Sequence, residues 1–506
     1  MGSANIANIT VSCVLNTFTT GSDPLFANQW HLKNTGQDGG TVGEDVNVVP
    51  VWNSNIMGAG VRIAIVDDGL EIAHEDISPN VVLGQSYNYV NGTTNPTGSD
   101  PSHGTAVGGV AAARDSNGLG VAGAAPRAGL VGYNPLEIHT SANEADAMTR
   151  NAAAVSISNN SWGANDDTGG YNASDATWRT AINTGLTTGR NGKGIVYTWA
   201  AGNGGEGAGS LHVDNSNYDG QANYRGVLAI CAVGDDGVRA SYSERGANLW
   251  VCTPSEGRGG HGITTTDRTG TAGYNPDPTN SGDYSNRNYT NTFSGTSSAT
   301  PLASGMIALV LEANPNLTWR DLRIILAQSA RKNDPFDPDW VVNGGGFNVN
   351  HNYGFGVANA NAAVELANPN TWMNIGPEIT FATPTATVNT PIPDDGGTAT
   401  SSTIAVAGSG VGKIESVEIV FNTNHPYVGD LDITLTAPFG TVSRLNEPHT
   451  CEGGECSLPG GTWRYSSARH LGEAANGPWT LTVKDMATGD TGTFTSWQMT
   501  FYGRAN

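Results

Sequence analysis

Short apolar runs alternate with helical patterns between about residues 60 and 330. We interpret these runs as buried strands of a parallel sheet. The five runs are VRIAIVDD, GLVGYNPL, AVSISNNSWG, GIVYTWAAGN and GVLAICAVG. Two segments between them, EADAMTRNAAA and SDATWRTAINTGLTTG, have the pattern of helices. This alternation predicts an α/β domain, a parallel sheet flanked by helices.

The pattern changes at ANPNTWMNIGPEIT, which has two prolines and no regular period. Beyond it, KIESVEIVFN, DLDITLTAP, WTLTVKD and SWQMTFYG alternate apolar and polar positions, with turns at APFGT and TGDTGT. These segments predict an all-β sandwich. We therefore predict an N-terminal extension, an α/β domain, a linker and a β-sandwich, at residues 1–22, 23–366, 367–376 and 377–506.

Composition narrows the possible functions. The 506 residues carry a net charge of −22, with only 24 Lys and Arg. So few cations cannot neutralise a phosphate backbone, which argues against nucleic-acid binding. The excess of acids suits a soluble protein that attracts basic partners or divalent cations, although it could simply keep a secreted protein soluble. No apolar run reaches 18 residues, so no membrane span is expected.

The five cysteines favour an oxidising compartment. Cys451 and Cys456, in CEGGEC, lie in a glycine-rich turn and suggest a short disulfide loop. Cys231 and Cys252 lie in apolar, strand-like runs, where they either pair or are buried as small hydrophobic residues. Cys13 has no assigned partner. The start, MGSANIAN, lacks the basic and apolar regions of a signal peptide and suggests a processed or engineered start.

Candidate reactive residues follow the predicted strands, because reactive groups gather at the carboxyl ends of a parallel sheet. Asp67 follows VRIAIV, and Asn203 follows GIVYTWAAG. His103 stands just ahead of a helix of small residues. Ser297, in SGTSSATP, stands at a helix entrance, with Pro301 expected in the first turn, where a missing N–H costs nothing.

These four residues supply the parts of acyl-transfer catalysis: a nucleophile, a base, a carboxylate that orients the base, and a donor to the oxyanion. The helix N-terminus at Ser297 adds backbone N–H groups. Each motif alone also has a structural interpretation, since an Asp can cap a helix and GTSSATP can begin an ordinary one. The chain order Asp, His, Asn, Ser is that of the subtilisins. SGTSSA is not G-x-S-x-G, which argues against an esterase of the α/β-hydrolase type.

More of the chain resembles one branch of that family, the kexin and furin proteases. The resemblance rests on DPLFANQWHL, DDGLEIAHEDI and NNSWGANDDTGG in the α/β part. In the β-rich part, GDLDITLTAPFGT, GPWTLTVKD and GTFTSWQMTFYG resemble the P domain of these proteases. The resemblance covers about residues 23–366 and 377–503, and it is stronger to secreted bacterial members of the branch than to eukaryotic ones. It implies a subtilisin-like catalytic domain followed by a P domain that packs against it.

The resemblance also implies roles for single residues. Asp67 would orient His103, the general base, and Ser297 would be the nucleophile. Asn203 would donate its side-chain amide to the oxyanion. Ser294 and Ser298 would lie near the nucleophile without a catalytic role. The residues beside the substrate backbone would be Ser161, Trp162 and Gly163.

The resemblance also implies cleavage after Lys or Arg, either after a basic pair or after a single basic residue, because acidic residues of this chain match the family's pocket carboxylates. The first specificity pocket would use Asp166 and Asp219, and the second Asp68 and Asp100. Such carboxylates would bind a cationic side chain through charge-assisted hydrogen bonds. In the alternative interpretation, Asp68 and Asp100 are ordinary surface turn residues.

Calcium is the cofactor that the resemblance implies, bound by oxygen ligands. The first site would lie around ARDSNGLGV and use Asp23, Asp76, Arg114, Asn117, Leu119 and Val121, three of them through backbone carbonyls. The second would use Asp166, Asp214 and Glu244, so Asp166 is assigned to both metal and pocket. The alternative is that these acids are simply solvated.

The sequence therefore predicts a secreted, calcium-dependent serine endopeptidase. The alternatives are a degradative subtilisin of broad or aromatic preference, and a catalytically silent binding protein that keeps the fold. The pro-segment usual in subtilisins is not visible, so we expect either that it was removed or that a dedicated chaperone assists folding.

Overall fold

The computed structural model describes residues 22–98, 102–206, 212–277, 279, 282–394, 396–454 and 456–506. Cys13, Asp100 and nearly all of the predicted N-terminal extension lie outside these ranges. None of the helices within them is long and apolar enough to cross a membrane.

The first part of the chain alternates strands and helices. Its strands are β1 Arg62–Val66, β2 Gly129–Tyr133, β3 Ile157–Asn160, β4 Val196–Ala200, β5 Val227–Val233, β6 Leu249–Pro254, β7 Ile263–Thr266, β8 Tyr289–Phe293, β9 Val341–Val342 and β10 Asn348–Val349. Its helices are α1 Val49–Asn53, α2 Ser102–Ala112, α3 Ser141–Thr149, α4 Ala176–Gly192, α5 Thr296–Ala313, α6 Trp319–Ser329 and α7 Ala360–Leu366.

Six of these strands form one parallel sheet in the order β2-β1-β3-β4-β5-β6. Every residue of β3, β4, β5 and β6 is buried, because elements cover both faces of the sheet. The strand order reverses at β1, which has β2 on one side and β3 on the other. A crevice opens at the carboxyl ends of strands at such a switch point, and ligands bind there.

The second part is entirely β-structure. Its strands are β11 Ile379–Ala382, β12 Ala386–Ile392, β13 Ala399–Val406, β14 Lys413–Thr423, β15 Leu431–Thr436, β16 Val442–Asn446, β17 Thr462–Ser467, β18 Gly477–Asp485 and β19 Gly492–Arg504. They form two antiparallel sheets, of five and four strands. Burial alternates along β15, β18 and β19, and the inward residues, including Trp479 in β18 and Trp497 in β19, form a separate core.

Both predicted fold classes are confirmed, although the residue numbers of the domain boundaries stay predictions. Two disulfides form in the parts described. Cys451–Cys456 closes the short loop expected from CEGGEC, and Cys231–Cys252 joins β5 to β6 at paired positions, so the pairing alternative holds for these two cysteines.

Candidate active site

The candidate catalytic residues meet at the switch point of the sheet. Asp67 directly follows β1, Ser161 directly follows β3, and Asn203 lies three residues beyond β4. Because these strands run parallel, their carboxyl ends lie at one edge of the sheet. Two helices, α2 and α5, begin at the same edge and bring His103 and Ser297 to it.

Asp67 and His103 form a direct hydrogen bond. The imidazole Nδ1 lies 2.8 Å from Asp67 Oδ1, and the Asp67 side chain is only 1% exposed. Burial alone would lower the pKa of His103, but the carboxylates of Asp67 and Asp68 raise it to about 9. The sequence placed His103 just ahead of a helix, whereas the structure includes it in the first turn of α2, with Phe293 edge-on to its ring.

Asp68 holds the start of α2. Its two carboxylate oxygens accept the backbone N–H groups of His103 and Gly104, at 3.2 and 2.8 Å. Burial and the neighbouring Asp67 raise the pKa of Asp68 to about 8. Asp68 is therefore not an exposed turn residue. Its bonds to α2 do not test a contact with the substrate, so its role in the second pocket stays a prediction.

Ser297 lies in the first turn of α5. Gly295 precedes the helix with φ +80°, a conformation that favours glycine and turns the chain sharply into the helix. The Ser297 hydroxyl donates to the Ser161 carbonyl, 3.1 Å away. The expectation that Pro301 occupies the first turn is wrong: α5 begins at Thr296, so Pro301 lies in the second turn, where it removes the N–H that would bond to the Ser297 carbonyl.

The side chain of Asn203 is oriented by a residue that the sequence did not single out. Thr296 donates twice to Asn203 Oδ1, from its backbone N at 2.8 Å and its hydroxyl at 2.9 Å. The amide nitrogen of Asn203 therefore points away from α5, where it lies 3.4 Å from Asp166 Oδ2. The only sequence signal for Thr296 was its position next to Ser297.

Two cavities meet at Ser297 and Asn203, which line both. The first has a volume of ≈190 Å³ and contains most of the predicted substrate and second-site metal residues: Ser161, Trp162, Gly163, Asp166, Asp214, Asp219 and Glu244. The second, of ≈430 Å³, is lined by His103, Tyr242, Glu256, Tyr274 and Phe293 among others. The nucleophile candidate thus has space on both sides, as cleavage of a chain requires.

The first cavity is strongly acidic. Burial raises the pKa of Asp214 to about 6, and it raises the pKa values of Asp219 and Glu244, with further contributions from neighbouring carboxylates. Asp219 is held by the N–H groups of Ala164 and Gln221, at 3.1 and 2.7 Å. Partly desolvated carboxylates that repel one another are stabilised by a cation, whether a metal ion or a basic side chain.

The first predicted calcium site forms a compact loop. Asp23 accepts the N–H groups of Ser116, Asn117 and Gly118, at 2.7, 3.2 and 3.1 Å. Asp76 accepts the Asn117 amide at 2.6 Å. The other predicted ligands are hydrogen-bonded to Asp76 or Asn117 through their backbone N–H groups. Val121 N donates to Asp76 Oδ2, Arg114 N to the Asp76 carbonyl, and Leu119 N to Asn117 Oδ1.

The donor set of this loop fits calcium. Burial raises the pKa values of Asp23 and Asp76, so a positive charge between these two carboxylates would be strongly favoured. Carboxylate, amide and carbonyl oxygens are also the ligands that Ca²⁺ prefers.

Across the described ranges, one set of three His, Cys or acidic residues brings its ligand atoms within 4.8 Å of one another. It consists of His449, Cys451 and Cys456, whose two sulfurs are bonded to each other. The carboxylate oxygens of Asp166, Asp214 and Glu244 in the first cavity do not all come within 4.8 Å of one another.

Each of the two parts of the chain matches a known protein family. Residues 58–356 match the Subtilase family, and residues 414–501 match the Proprotein convertase P-domain. A Calcium-dependent protease of Trichormus variabilis is 36% identical over 489 residues, covering 92% of this chain and 69% of that protein. Kexin of Saccharomyces cerevisiae is 32% identical over 495 residues, covering 96% of this chain and 57% of that protein.

The fold also matches a solved structure, a serine protease of Aeromonas sobria in complex with a chaperone. The TM-score is 0.84 at 28% identity, and the match covers 96% of each chain. The chain spans about three fifths of the length of several curated relatives. These findings confirm the resemblance seen in the sequence. The chain therefore belongs to the subtilase family, in the kexin-like branch that carries a proprotein convertase P-domain.

Proposed function

We propose that this chain is a secreted, calcium-dependent serine endopeptidase that cleaves peptide bonds after basic residues. One observation carries the proposal: His103, hydrogen-bonded to Asp67, lines the second cavity together with Ser297, and Ser297 also lines the first cavity, which is rich in carboxylates. The pair suits proton transfer, and the acidic cavity suits a Lys or Arg side chain before the cut.

In the proposed reaction, Ser297 Oγ attacks the carbonyl carbon of the substrate while His103 Nε2 accepts the hydroxyl proton. Asp67 holds Nδ1 of His103 and stabilises the imidazolium that forms. The Ser297 hydroxyl must first exchange its bond to the Ser161 carbonyl for one to His103. His103 then gives the proton to the leaving amine, and a water molecule releases the acyl group from Ser297 by the same steps.

The negative charge that develops on the carbonyl oxygen needs donors that are already in place. Asn203 would supply its side-chain amide: Thr296 holds the amide oxygen, and the amide nitrogen would exchange its 3.4 Å bond to Asp166 Oδ2 for one to the oxyanion. The N-terminus of α5 adds backbone N–H groups and a favourable dipole. Ser161, Trp162 and Gly163 follow β3 and border the first cavity, a position that suits hydrogen bonding to the substrate backbone.

Charge decides the preferred residue in this proposal. A Lys or Arg side chain in the first cavity would meet Asp166 and Asp219 and relieve the repulsion among its carboxylates. A second basic residue would meet Asp68 and Asp100. Asp68 already accepts two N–H groups of α2, so we expect the preference at this second position to be weaker than at the first.

Calcium, when bound, would supply positive charge at the two acidic sites and so hold their loops in place. Asp23, Asp76, Asn117 and the backbone of Arg114, Leu119 and Val121 would hold one ion. Asp166, Asp214 and Glu244 would hold another beneath the first cavity. The relative from Trichormus variabilis is a calcium-dependent protease, which supports this dependence.

Secretion and assisted folding are the remaining parts of the proposal. Two disulfides and the kexin-like relatives support an oxidising, secretory route. The chaperone in the Aeromonas sobria complex supports a dedicated folding partner for this chain, with a removed pro-segment as the alternative.

The test is a panel of matched fluorogenic peptides ending in Lys-Lys, Lys-Arg, Ala-Arg and Ala-Phe, assayed with calcium and after its removal by a chelator. We expect strong cleavage after the basic pairs, loss of activity without calcium, and none in Ser297→Ala. Preferred cleavage after Ala-Phe would support the broad-specificity alternative. No cleavage by the folded, calcium-loaded protein would support the silent alternative.

A further inference from the structure

One wall of the first cavity is a short loop, residues 166–170. Asp166 and Gly170 line the cavity directly. The N–H groups of Thr168 and Gly169 both bind the Asp214 carboxylate. Asp166 in turn accepts the backbone N–H of Asn203 at 2.7 Å. A shift of this loop would therefore displace two acids of the cavity and the proposed oxyanion donor together.

The outer side of this loop is held by the P domain. The N–H of Glu452 donates to the Thr168 carbonyl at 2.8 Å. The imidazole Nε2 of His449 lies 2.9 Å from the Gly169 carbonyl, and its ring stacks on Tyr218 with centroids 4.8 Å apart. The backbone of Gly169, with φ +63°, runs so close to the P domain that an added Cβ would lie 2.2 Å from the Thr450 carbonyl.

The P-domain side of this contact is itself fixed. The Cys451–Cys456 disulfide closes the segment, and both cysteines are buried. His449 N donates to the Gly429 carbonyl at 2.8 Å, and Val428 N donates to the Cys456 carbonyl at 2.7 Å. The disulfide therefore restrains a segment that is anchored to the P domain at both ends and touches the wall of the cavity.

We propose that the segment from His449 to Cys456, the brace segment, positions the wall of the specificity cavity and so sets which side chain the enzyme accepts before the cut. The proposal rests on the proposed function only in assigning the first cavity to that side chain. None of the brace residues that the structure describes lines either cavity, so they act as positioning residues, through Thr168 and Gly169 on Asp166 and Asp214.

Contacts outside the brace segment also dock the two domains. Asn217 Nδ2 donates to the Ser466 carbonyl across the domain boundary, at 2.9 Å. The Trp463 indole donates in the other direction, to the Asn217 carbonyl, also at 2.9 Å. The buried Arg320–Glu415 pair forms a further contact, away from the cavity. Loss of the brace should therefore leave the domains docked while the wall of the cavity moves.

The experiment compares two disulfide deletions in the full chain, Cys451→Ala/Cys456→Ala and Cys231→Ala/Cys252→Ala. Each removes one buried disulfide, but only the first contacts the loop 166–170. kcat and KM are measured on peptides that differ only in the residue before the cut. We expect the first deletion to lower the preference for the best residue over the next best about tenfold, mainly through KM, because small misplacements of positioning groups are costly.

The second deletion should lower the melting temperature without changing the preference. A further variant, Gly169→Ala, attacks the same contact from the catalytic side and should reproduce the loss of preference, whether or not the cysteine variant folds well.

This experiment distinguishes failure of the proposed substrate class from failure of the proposed role of the brace segment. A wild-type preference for a non-basic residue would overturn the proposed substrate class, and the variants would still report on the brace through whichever residue is preferred. An unchanged preference in both Cys451→Ala/Cys456→Ala and Gly169→Ala would overturn the brace. Equal loss of preference in the Cys231→Ala/Cys252→Ala control would also overturn it, by showing a general effect of destabilisation.

Discussion

Three serines lie within five residues at the start of α5, and their surroundings distinguish them. Ser298 is buried, and its hydroxyl lies 2.6 Å from that of Ser255. Ser294 precedes the helix and borders only the second cavity. Ser297 alone among the three borders both cavities. At the residue scale, this geometry supports the proposal that Ser297, and not Ser294 or Ser298, is the nucleophile.

The Thr296 hydroxyl is expected to affect catalysis and not binding. Thr296→Val removes one of the two hydrogen bonds that orient Asn203, and the backbone bond remains. A net loss of about 1–1.5 kcal/mol lowers kcat about tenfold, with little change in KM. Steady-state kinetics test this, with Thr300→Val as the control, because Thr300 is buried one turn along α5 and bonds only within the helix. An equal loss of kcat in the control would contradict the role of Thr296.

Activity should rise with pH into the alkaline range. His103 must be neutral to accept a proton, and its pKa is raised to about 9, so the active fraction grows as the pH rises through that value. Asp68→Asn removes one of the carboxylates that raise this pKa and should move the rising limb of kcat/KM to lower pH. The pH profiles of both proteins test this. A limb near about 6.5, the ordinary histidine value, in both proteins would contradict it.

Most candidate site residues were predictable because their motifs are local in the sequence. Asp67, His103, Asn203 and Ser297 each stand next to a strand end or a helix start. The role of Thr296 was not predictable, because its partner Asn203 lies 93 positions away and the contact exists only in the fold.

At the scale of elements, burial explains which strands could be predicted. The fully buried β5 appears in the sequence as an apolar run, and β4 as a mostly apolar one. The sequence analysis missed β11 and β12, whose residues are mostly exposed or half-buried and include Thr, Asn and Pro. The predicted helix EADAMTRNAAA ends early, at Thr149, because Arg150 adopts an extended conformation.

The start of α6 has a reciprocal cap, in which Thr318 Oγ1 accepts from Asp321 N and Asp321 Oδ2 accepts from Thr318 N. Thr318→Ala should cost about 1 kcal/mol of unfolding free energy, as caps usually do. Asp321→Ala should cost about 3 kcal/mol or more, because Asp321 is fully buried and also accepts from the Trp372 indole and Ile375 N.

Denaturant unfolding of both variants measures these costs in a Ser297→Ala background, which prevents self-digestion. Asn359→Ala, which removes the cap of α7, is the matched control and should behave like Thr318→Ala. Equal costs for Thr318→Ala and Asp321→Ala would contradict the wider role of Asp321.

At the scale of the whole molecule, the two domains are joined by contacts between residues far apart in the sequence. Arg320 in α6 forms a two-pronged ion pair with Glu415 in β14, at 2.8 and 2.6 Å, and both side chains are buried. The sequence predicted that a P domain packs against the catalytic domain. It could not identify the contacts, because Arg320 and Glu415 are 95 positions apart and neither lies in a recognisable motif.

Breaking this pair should destabilise the protein strongly. Arg320→Ala leaves the Glu415 carboxylate buried with only Arg504, at 3.1 Å, so we expect a loss of about 3 kcal/mol. The double variant Arg320→Met/Glu415→Leu should recover most of it, because replacing both charges leaves no buried ion unpaired. Thermal and denaturant unfolding of the Ser297→Ala protein measure both. A double variant as unstable as Arg320→Ala would contradict this account of the interface.

The central claim is that Ser297 is a nucleophile activated by the Asp67–His103 pair, and covalent labelling tests it most directly. The calcium-loaded protein is treated with a fluorophosphonate, and the adduct is located by peptide mass spectrometry. The account predicts one adduct per chain, on Ser297, absent from Ser294 and Ser298 and strongly reduced in His103→Ala. An adduct on another serine, or none on the folded protein, would contradict it.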